Sequence, residues 1–215
     1  MRRLLIRSSV LVVALSGLGF SGMATAGGNN ECPVGLVNGL ELDEEFGLGT
    51  EELTRCLERR HKVKVVMQIN KFCSDAVPNE ECTRPYALGN IRNMIKDYEI
   101  THGMIQGLDY EIVAVVHSGG GKLVLKGVGD NNGNGVDDRN QFEDVVRELI
   151  ADGVKFYFCQ NTTRSYVNQG ILPLPDPSDL TGGATGELIE DVEYTTAGVT
   201  AIADFQREGY AYVQP

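Results

Sequence analysis

The chain has 215 residues, of which 42% are hydrophobic, and its formal net charge is −11 at pH 7. It is therefore long and apolar enough to bury the core of one domain that carries an extension. Its acidity argues against nucleic acid and against an anionic membrane surface as partners, because both are polyanions.

The first 26 residues predict a secretory signal peptide. A basic start is followed by an apolar stretch, residues 10–20, which is too short to span a bilayer, and by Ala-Thr-Ala at residues 24–26, a typical cleavage site. Cleavage would leave a mature chain that begins at Gly27 with a net charge of −14, because three arginines are lost and no acid. We therefore expect a periplasmic or secreted protein that does not contact the membrane after cleavage.

Five cysteines in an exported chain predict disulfides and one thiol left over. Cys73 and Cys82 bracket a short polar loop and could close it, and Cys32 and Cys56 could staple the extension. Four cysteines allow three pairings, and the sequence does not choose among them. Cys159 lies far downstream and is the candidate free thiol.

After the cysteine-containing extension, residues 27–61, strand and helix patterns alternate through residues 62–215. Short apolar, β-branched runs predict strands at 63–70, 110–117, 154–158, 188–193 and 210–213. Apolar residues at helical spacing predict helices at about 84–99, 141–152, 163–168 and 196–207. This alternation predicts an α/β fold, a three-layer sandwich with a mostly parallel sheet of about five strands and helices on both faces.

Cys159 is the main candidate for chemistry. Ligands of open α/β sheets bind at the carboxyl ends of the strands, where Asn70, His117 and Cys159 are placed. At the N-terminus of a helix, free N–H groups and the helix dipole stabilise a thiolate, so we expect a nucleophile. The alternative is a buried structural cysteine, which is common for this residue type.

Three further expectations concern His117, the residues after Cys159, and the pairing of Cys73. The titration range of histidine suits His117 to proton transfer, although a polar residue at the rim of a sheet explains it equally. Residues 161–163, Asn-Thr-Thr, match a glycosylation sequon, but we interpret them as the cap of the next helix. If the first and third strands are neighbours, Cys73 lies near Cys159 and the two thiols could form a reversible disulfide.

Residues 130–138 predict a calcium loop of the form D-x-[DN]-x-[DN]-G. Position twelve is Gln141 where a bidentate Glu is expected, and Glu143 or Asp144 could compensate. The alternative is a turn rich in Asn, Gly and Asp that needs no metal. No organic cofactor is predicted. The calcium ligands would be Asp130, Asn132, Asn134, the carbonyl of Val136, and Asp138.

Residues 62–215 resemble the DsrE/DsrF-like family. The resemblance is carried by the block Gly-Val-x-Phe-x-x-Cys-x-Asn-Thr at residues 153–162 and by the closing helix and strand at 197–212. It implies a small α/β fold that assembles into homo-oligomers, trimers or hexamers, and a persulfide-carrying cysteine at Cys159. The predicted export and the loop at 130–138, which looks like an insertion, depart from the characterised relay members, which are cytoplasmic.

Two functional hypotheses from different classes follow. In the first, an exported thiol protein takes sulfane sulfur from a thiol or sulfane-sulfur donor onto Cys159 as a persulfide and passes it on, with His117 assisting proton transfer. In the second, the chain is a non-catalytic oligomeric binding or scaffold module with structural disulfides, and Cys159 is simply buried. A dithiol variant of the first pairs Cys159 with Cys73.

Overall fold

A computed structural model of the chain describes residues 62–73, 82–173 and 185–215. Its strands are β1 (Val63–Ile69), β2 (Tyr110–Val116), β3 (Lys155–Cys159), β4 (Glu193–Thr195) and β5 (Ala211–Val213). Its α-helices are α1 (Tyr86–Lys96), α2 (Glu143–Ala151), α3 (Gln160–Asn168) and α4 (Gly198–Arg207). A π-helical turn (Asp97–Thr101) follows α1, and 3-10 helices cover Ser118–Val124 and Thr185–Glu187.

All five strands lie in one sheet of order β4-β3-β2-β1-β5, and every neighbouring pair is parallel. The central strand β2 is buried on both faces, as expected where helices cover both sides of a parallel sheet. On one face Val113 and Val115 pack with Ile202 of α4. On the other, the sheet packs against Ile91 of α1 and Leu149 of α2. The predicted three-layer α/β sandwich is confirmed.

Gly153 ends α2 and directs the chain into β3. Its φ of +88° lies in the left-handed region that favours glycine. The N–H groups of Gly153 and Val154 donate to the carbonyls of Ile150 and Leu149 at 2.9 Å each, which satisfies the last turn of the helix. The helix predicted to end at about residue 152 ends at Ala151, which confirms that boundary, and β3 then leads toward Cys159.

The strand predicted at residues 188–193 is largely wrong. The sheet strand β4 covers only Glu193–Thr195, whereas Leu188 forms an isolated antiparallel bridge with Leu125. The N–H of Ile189 donates to the carbonyl of Val124 at 3.0 Å, and both apolar side chains of the pair 188–189 are buried. This apolar pair therefore covers the core beside a 3-10 helix instead of extending the sheet.

The start of α3 also differs from the prediction. The helix begins at Gln160 with Cys159 as its N-cap residue, so residues 161–163 lie inside its first turn and do not cap it. The hydroxyl of Thr163 donates to the carbonyl of Cys159 at 3.4 Å, and no side chain caps the helix. The catalytic candidate therefore stands directly at the helix N-terminus.

Cys73 and Cys82 form a disulfide, which confirms one of the pairings that the sequence left open. Two expectations about Cys73 are wrong. Strand β2 separates β1 from β3, so Cys73 is not brought beside Cys159 by neighbouring strands, and its sulfur is already paired. Cys159 is a free thiol. Cys32, Cys56 and the predicted signal peptide lie outside the described residues.

Within the described ranges, none of the helices has the length and apolar character that a membrane span requires.

Candidate functional site

The carboxyl ends of β1, β2 and β3 meet at one edge of the sheet. The register pairs Ile69 with Val116 and Val116 with Phe158, so the residues that follow, Asn70, His117 and Cys159, come at the same level. They do not share one site. Asn70 lines a cavity of about 200 Å³ next to Cys73, whereas His117 and Cys159 line a larger cavity of about 740 Å³.

The Cys159 thiol lies between the N-termini of two helices. Cys159 is the residue from which α3 begins, and its Sγ accepts a hydrogen bond from the backbone N–H of Gly198 at 3.2 Å. Gly198 is the first residue of α4, so this N–H has no partner inside its own helix. Helix N-termini favour negative charge, and an N–H donor to sulfur favours the thiolate.

His117 packs against the same glycine. A Cβ built at Gly198 would lie 3.1–3.2 Å from the Cδ2, Cβ and Cγ atoms of His117, so the ring lies against the N-terminus of α4. Glycine at position 198 permits this close approach, because a larger residue would press on the ring.

Both ring nitrogens of His117 are engaged. Nε2 accepts from the amide of Gln68 at 2.6 Å, and Nδ1 lies 3.0 Å from the hydroxyl of Ser118. The Tyr212 hydroxyl donates to the amide oxygen, Oε1, of Gln68, and this bond orients the amide. Burial lowers the pKa of His117, which favours the neutral ring. This arrangement suits a positioning role, and proton transfer by His117 stays a prediction.

The turn after β2 is anchored to α3. Ser118 has a φ of +51°, which is strained for a residue with a side chain. Its N–H donates to the Thr162 hydroxyl at 2.9 Å, and its carbonyl accepts from the Tyr166 hydroxyl at 2.6 Å. Burial raises the pKa of Tyr166 to about 12, so this phenol stays protonated as a donor. These bonds hold the two walls of the larger cavity together.

None of the loop residues 130–138 lines the cavity of Cys159. The carboxylate of Asp130 accepts N–H groups from residues 133–135, and that of Asp138 accepts from Asn131 and Asn132. At position twelve, the Gln141 amide donates to the carbonyl of Cys82, although the residue lines one cavity with Asn132 and Asp138. Glu143, one of the two residues expected to compensate, accepts from Gly127 and Arg147. The described residues contain no cluster of three His, Cys, Asp or Glu side chains suited to a metal. Calcium binding stays a prediction.

Sequence reasoning missed Gly198 and Lys122. The Gly198 N–H is brought to Cys159 by a contact across 39 residues, which no local pattern encodes. Lys122 lies in the glycine-rich 3-10 helix after β2 and lines the 740 Å³ cavity with Cys159. Its place after a strand that ends at the same sheet edge was the available signal.

A family model described as DsrE/DsrF-like matches residues 74–215, well over half of the chain. The chain belongs to the DsrE/DsrF-like family. This family is generally linked to sulfur relay. No curated protein matches the sequence significantly.

One solved structure similar to this DsrE/DsrF-like chain is a protein of unknown function from Methanobacterium thermoautotrophicum. It is 25% identical with a TM-score of 0.47, and the alignment covers 72% of this chain and all of that one.

Proposed function

We propose that this protein takes up sulfane sulfur on Cys159 as a persulfide and passes it on outside the cytoplasm. The observation that carries the proposal is the hydrogen bond of 3.2 Å from the Gly198 N–H to Sγ of Cys159, made at the wall of a 740 Å³ cavity. Membership of a family linked to sulfur relay supports the same chemistry.

The chemistry needs a nucleophile and a place for negative charge. The Cys159 thiolate attacks the sulfane sulfur of a donor, a new S–S bond forms, and the rest of the donor leaves with the electron pair of the broken S–S bond. In the second step an acceptor thiolate attacks the outer sulfur, and Cys159 leaves as a thiolate. Neither step needs an external oxidant or reductant. The Gly198 N–H and the two helix N-termini stabilise the charge on Cys159 at both ends of the cycle.

Thiol reactivity in the folded protein tests this proposal. Cys159 is only 5% exposed, but it lines an open cavity, so we expect iodoacetamide to modify it in the native, unreduced protein. Polysulfide-loaded protein should then release about one sulfide per chain to an added thiol, and Cys159→Ser should release none. Alkylation of Cys159 only after denaturation would overturn the proposal and leave a structural cysteine.

A further inference from the structure

The charge of the cavity beside Cys159 differs from that of the whole molecule. The chain carries a net charge of −11, yet none of the described residues that line this cavity is Asp or Glu. Burial lowers the pKa of His117, so its ring is neutral at pH 7. Burial likewise raises the pKa of Tyr166 to about 12, so its hydroxyl is neutral too. Among the described residues that line the cavity, Lys122 is then the one cationic side chain.

Lys122 is available for a ligand. Within the described ranges its ammonium makes no ion pair or hydrogen bond, whereas Lys126 donates to the carbonyl of Gly186 and Lys155 pairs with Glu111. Lys122 also lines a neighbouring cavity of about 290 Å³ with Asp137 and Asp138, so it lies between that acidic loop and the cavity of Cys159. The cavity also presents neutral hydrogen-bonding side chains, among them Asn161, Ser165 and Gln169. Its volume of about 740 Å³ lies within the range of small-molecule sites.

We infer that this cavity receives its sulfur from a small anionic sulfane-sulfur compound, of the class of inorganic polysulfides, with Lys122 as the countercharge. The inference rests on the proposed function of Cys159. Without a cation, the acidic molecule and the thiolate would both repel a dianion from the cavity. With tetrasulfide as donor, the Cys159 thiolate bonds the terminal sulfur, one S–S bond of the donor breaks, and trisulfide leaves with the electron pair.

Two alkylating reagents of similar size isolate the effect of charge. Iodoacetate is anionic and iodoacetamide is neutral, and both attack the same thiolate, so the ratio of their rates cancels any change in its ionisation. Lys122→Gln should lower the iodoacetate-to-iodoacetamide ratio at Cys159 by roughly threefold to tenfold. Lys122→Arg should restore it. Lys155→Gln makes the same change of charge at the opposite end of β3, and it should leave the iodoacetate-to-iodoacetamide ratio unchanged.

Persulfide formation from tetrasulfide should slow by a similar factor in Lys122→Gln. If Lys122→Gln does not fold, Lys122→Met removes the same charge while it keeps an apolar side chain of similar length, and it should lower the rate ratio by a similar factor. An unchanged ratio in a folded Lys122→Met protein would overturn the inference.

The remaining outcomes separate the two proposals. Equal persulfide rates in wild type and Lys122→Gln, with an unchanged alkylation ratio, would overturn the inference alone. Loading of Cys159 only by a persulfidated protein thiol, and never by tetrasulfide, would also overturn it alone. A third outcome is an iodoacetate-to-iodoacetamide ratio that depends on Lys122 in a protein that forms no persulfide at Cys159 from any donor. That outcome would instead overturn the proposed function, and with it the donor class.

Discussion

Three residues from different parts of the chain form a line of contacts around the free thiol. The His117 ring packs on Gly198, and the Gly198 N–H points at Sγ of Cys159. Hydrogen bonds to charged groups contribute about 1.5–3 kcal/mol, so this donor would stabilise negative charge on the sulfur during the reaction. The reactivity of the thiol therefore depends on the space available at position 198.

Gly198→Ala tests that dependence. The added methyl group would lie 3.1–3.2 Å from His117 atoms, so the ring or the start of α4 must move and the bond to sulfur must weaken. Losing about 1 kcal/mol of that bond would slow alkylation of Cys159 about fivefold. Gly186→Ala is the matched control, because no heavy atom lies within 4 Å of its added Cβ. A wild-type rate in a folded Gly198→Ala protein would contradict the account.

The stability of the protein should depend on pH through His117. Burial lowers its pKa in the folded state below 6.5, so below that pH the unfolded chain binds more protons. The contribution of His117 to the free energy of unfolding should be fully present above about pH 6.5. It should be lost as the pH falls through the pKa that His117 has in the folded state. Urea denaturation between about pH 7.5 and 5 should show a shallower decrease in His117→Gln than in the wild type. Identical slopes would mean that His117 titrates normally.

At the scale of elements, the Cys73–Cys82 disulfide joins the end of β1 to the segment before α1. A bridge between residues nine apart should stabilise the fold by about 2–3 kcal/mol. The double variant Cys73→Ala/Cys82→Ala should lose that much free energy of unfolding in urea. Its alkylation at Cys159 should not change, because Cys73 lines a different cavity. Slower alkylation of Cys159 in a folded double variant would show that the disulfide and the Cys159 site are coupled.

The sequence predicted the elements that have strong local patterns. Strands β1, β2 and β3 are runs of buried apolar residues, and Gly153 marks the end of α2 by its backbone conformation. It did not predict β4, which has three residues, because the more apolar pair at 188–189 packs on the core instead. It also placed the start of α3 three residues late, since polar residues there looked like caps.

The candidate site could be predicted only in part. Strand-end placement brought Cys159 and His117 to the same edge, and both line one cavity. Asn70, at the same level of the sheet, lines the other cavity, because the strand order places β1 beyond β2. The Gly198 donor depends on where α4 packs against the sheet, which is a tertiary outcome and not a sequence motif.

On the scale of the whole molecule, the chain carries a net charge of −11, whereas the described residues that line the cavity beside Cys159 include Lys122 and no Asp or Glu. We also propose that it works as a homo-oligomer, a trimer or hexamer, as family membership implies. Val199, which borders the cavity, is 70% exposed in the single chain. Native mass spectrometry should give three or six times the mass of one chain. A single-chain mass at micromolar concentration would contradict this proposal.

The measurement that tests the central claim most directly is the mass of the Cys159 peptide after exposure to polysulfide. The protein would be recovered from an oxidising compartment, treated without reduction, alkylated and digested. We predict a gain of about 32 Da, one sulfur atom, on the peptide that holds Cys159, and no gain in Cys159→Ser. A Cys159 peptide of unchanged mass in a folded protein would contradict the account, and so would added sulfur found on other residues alone.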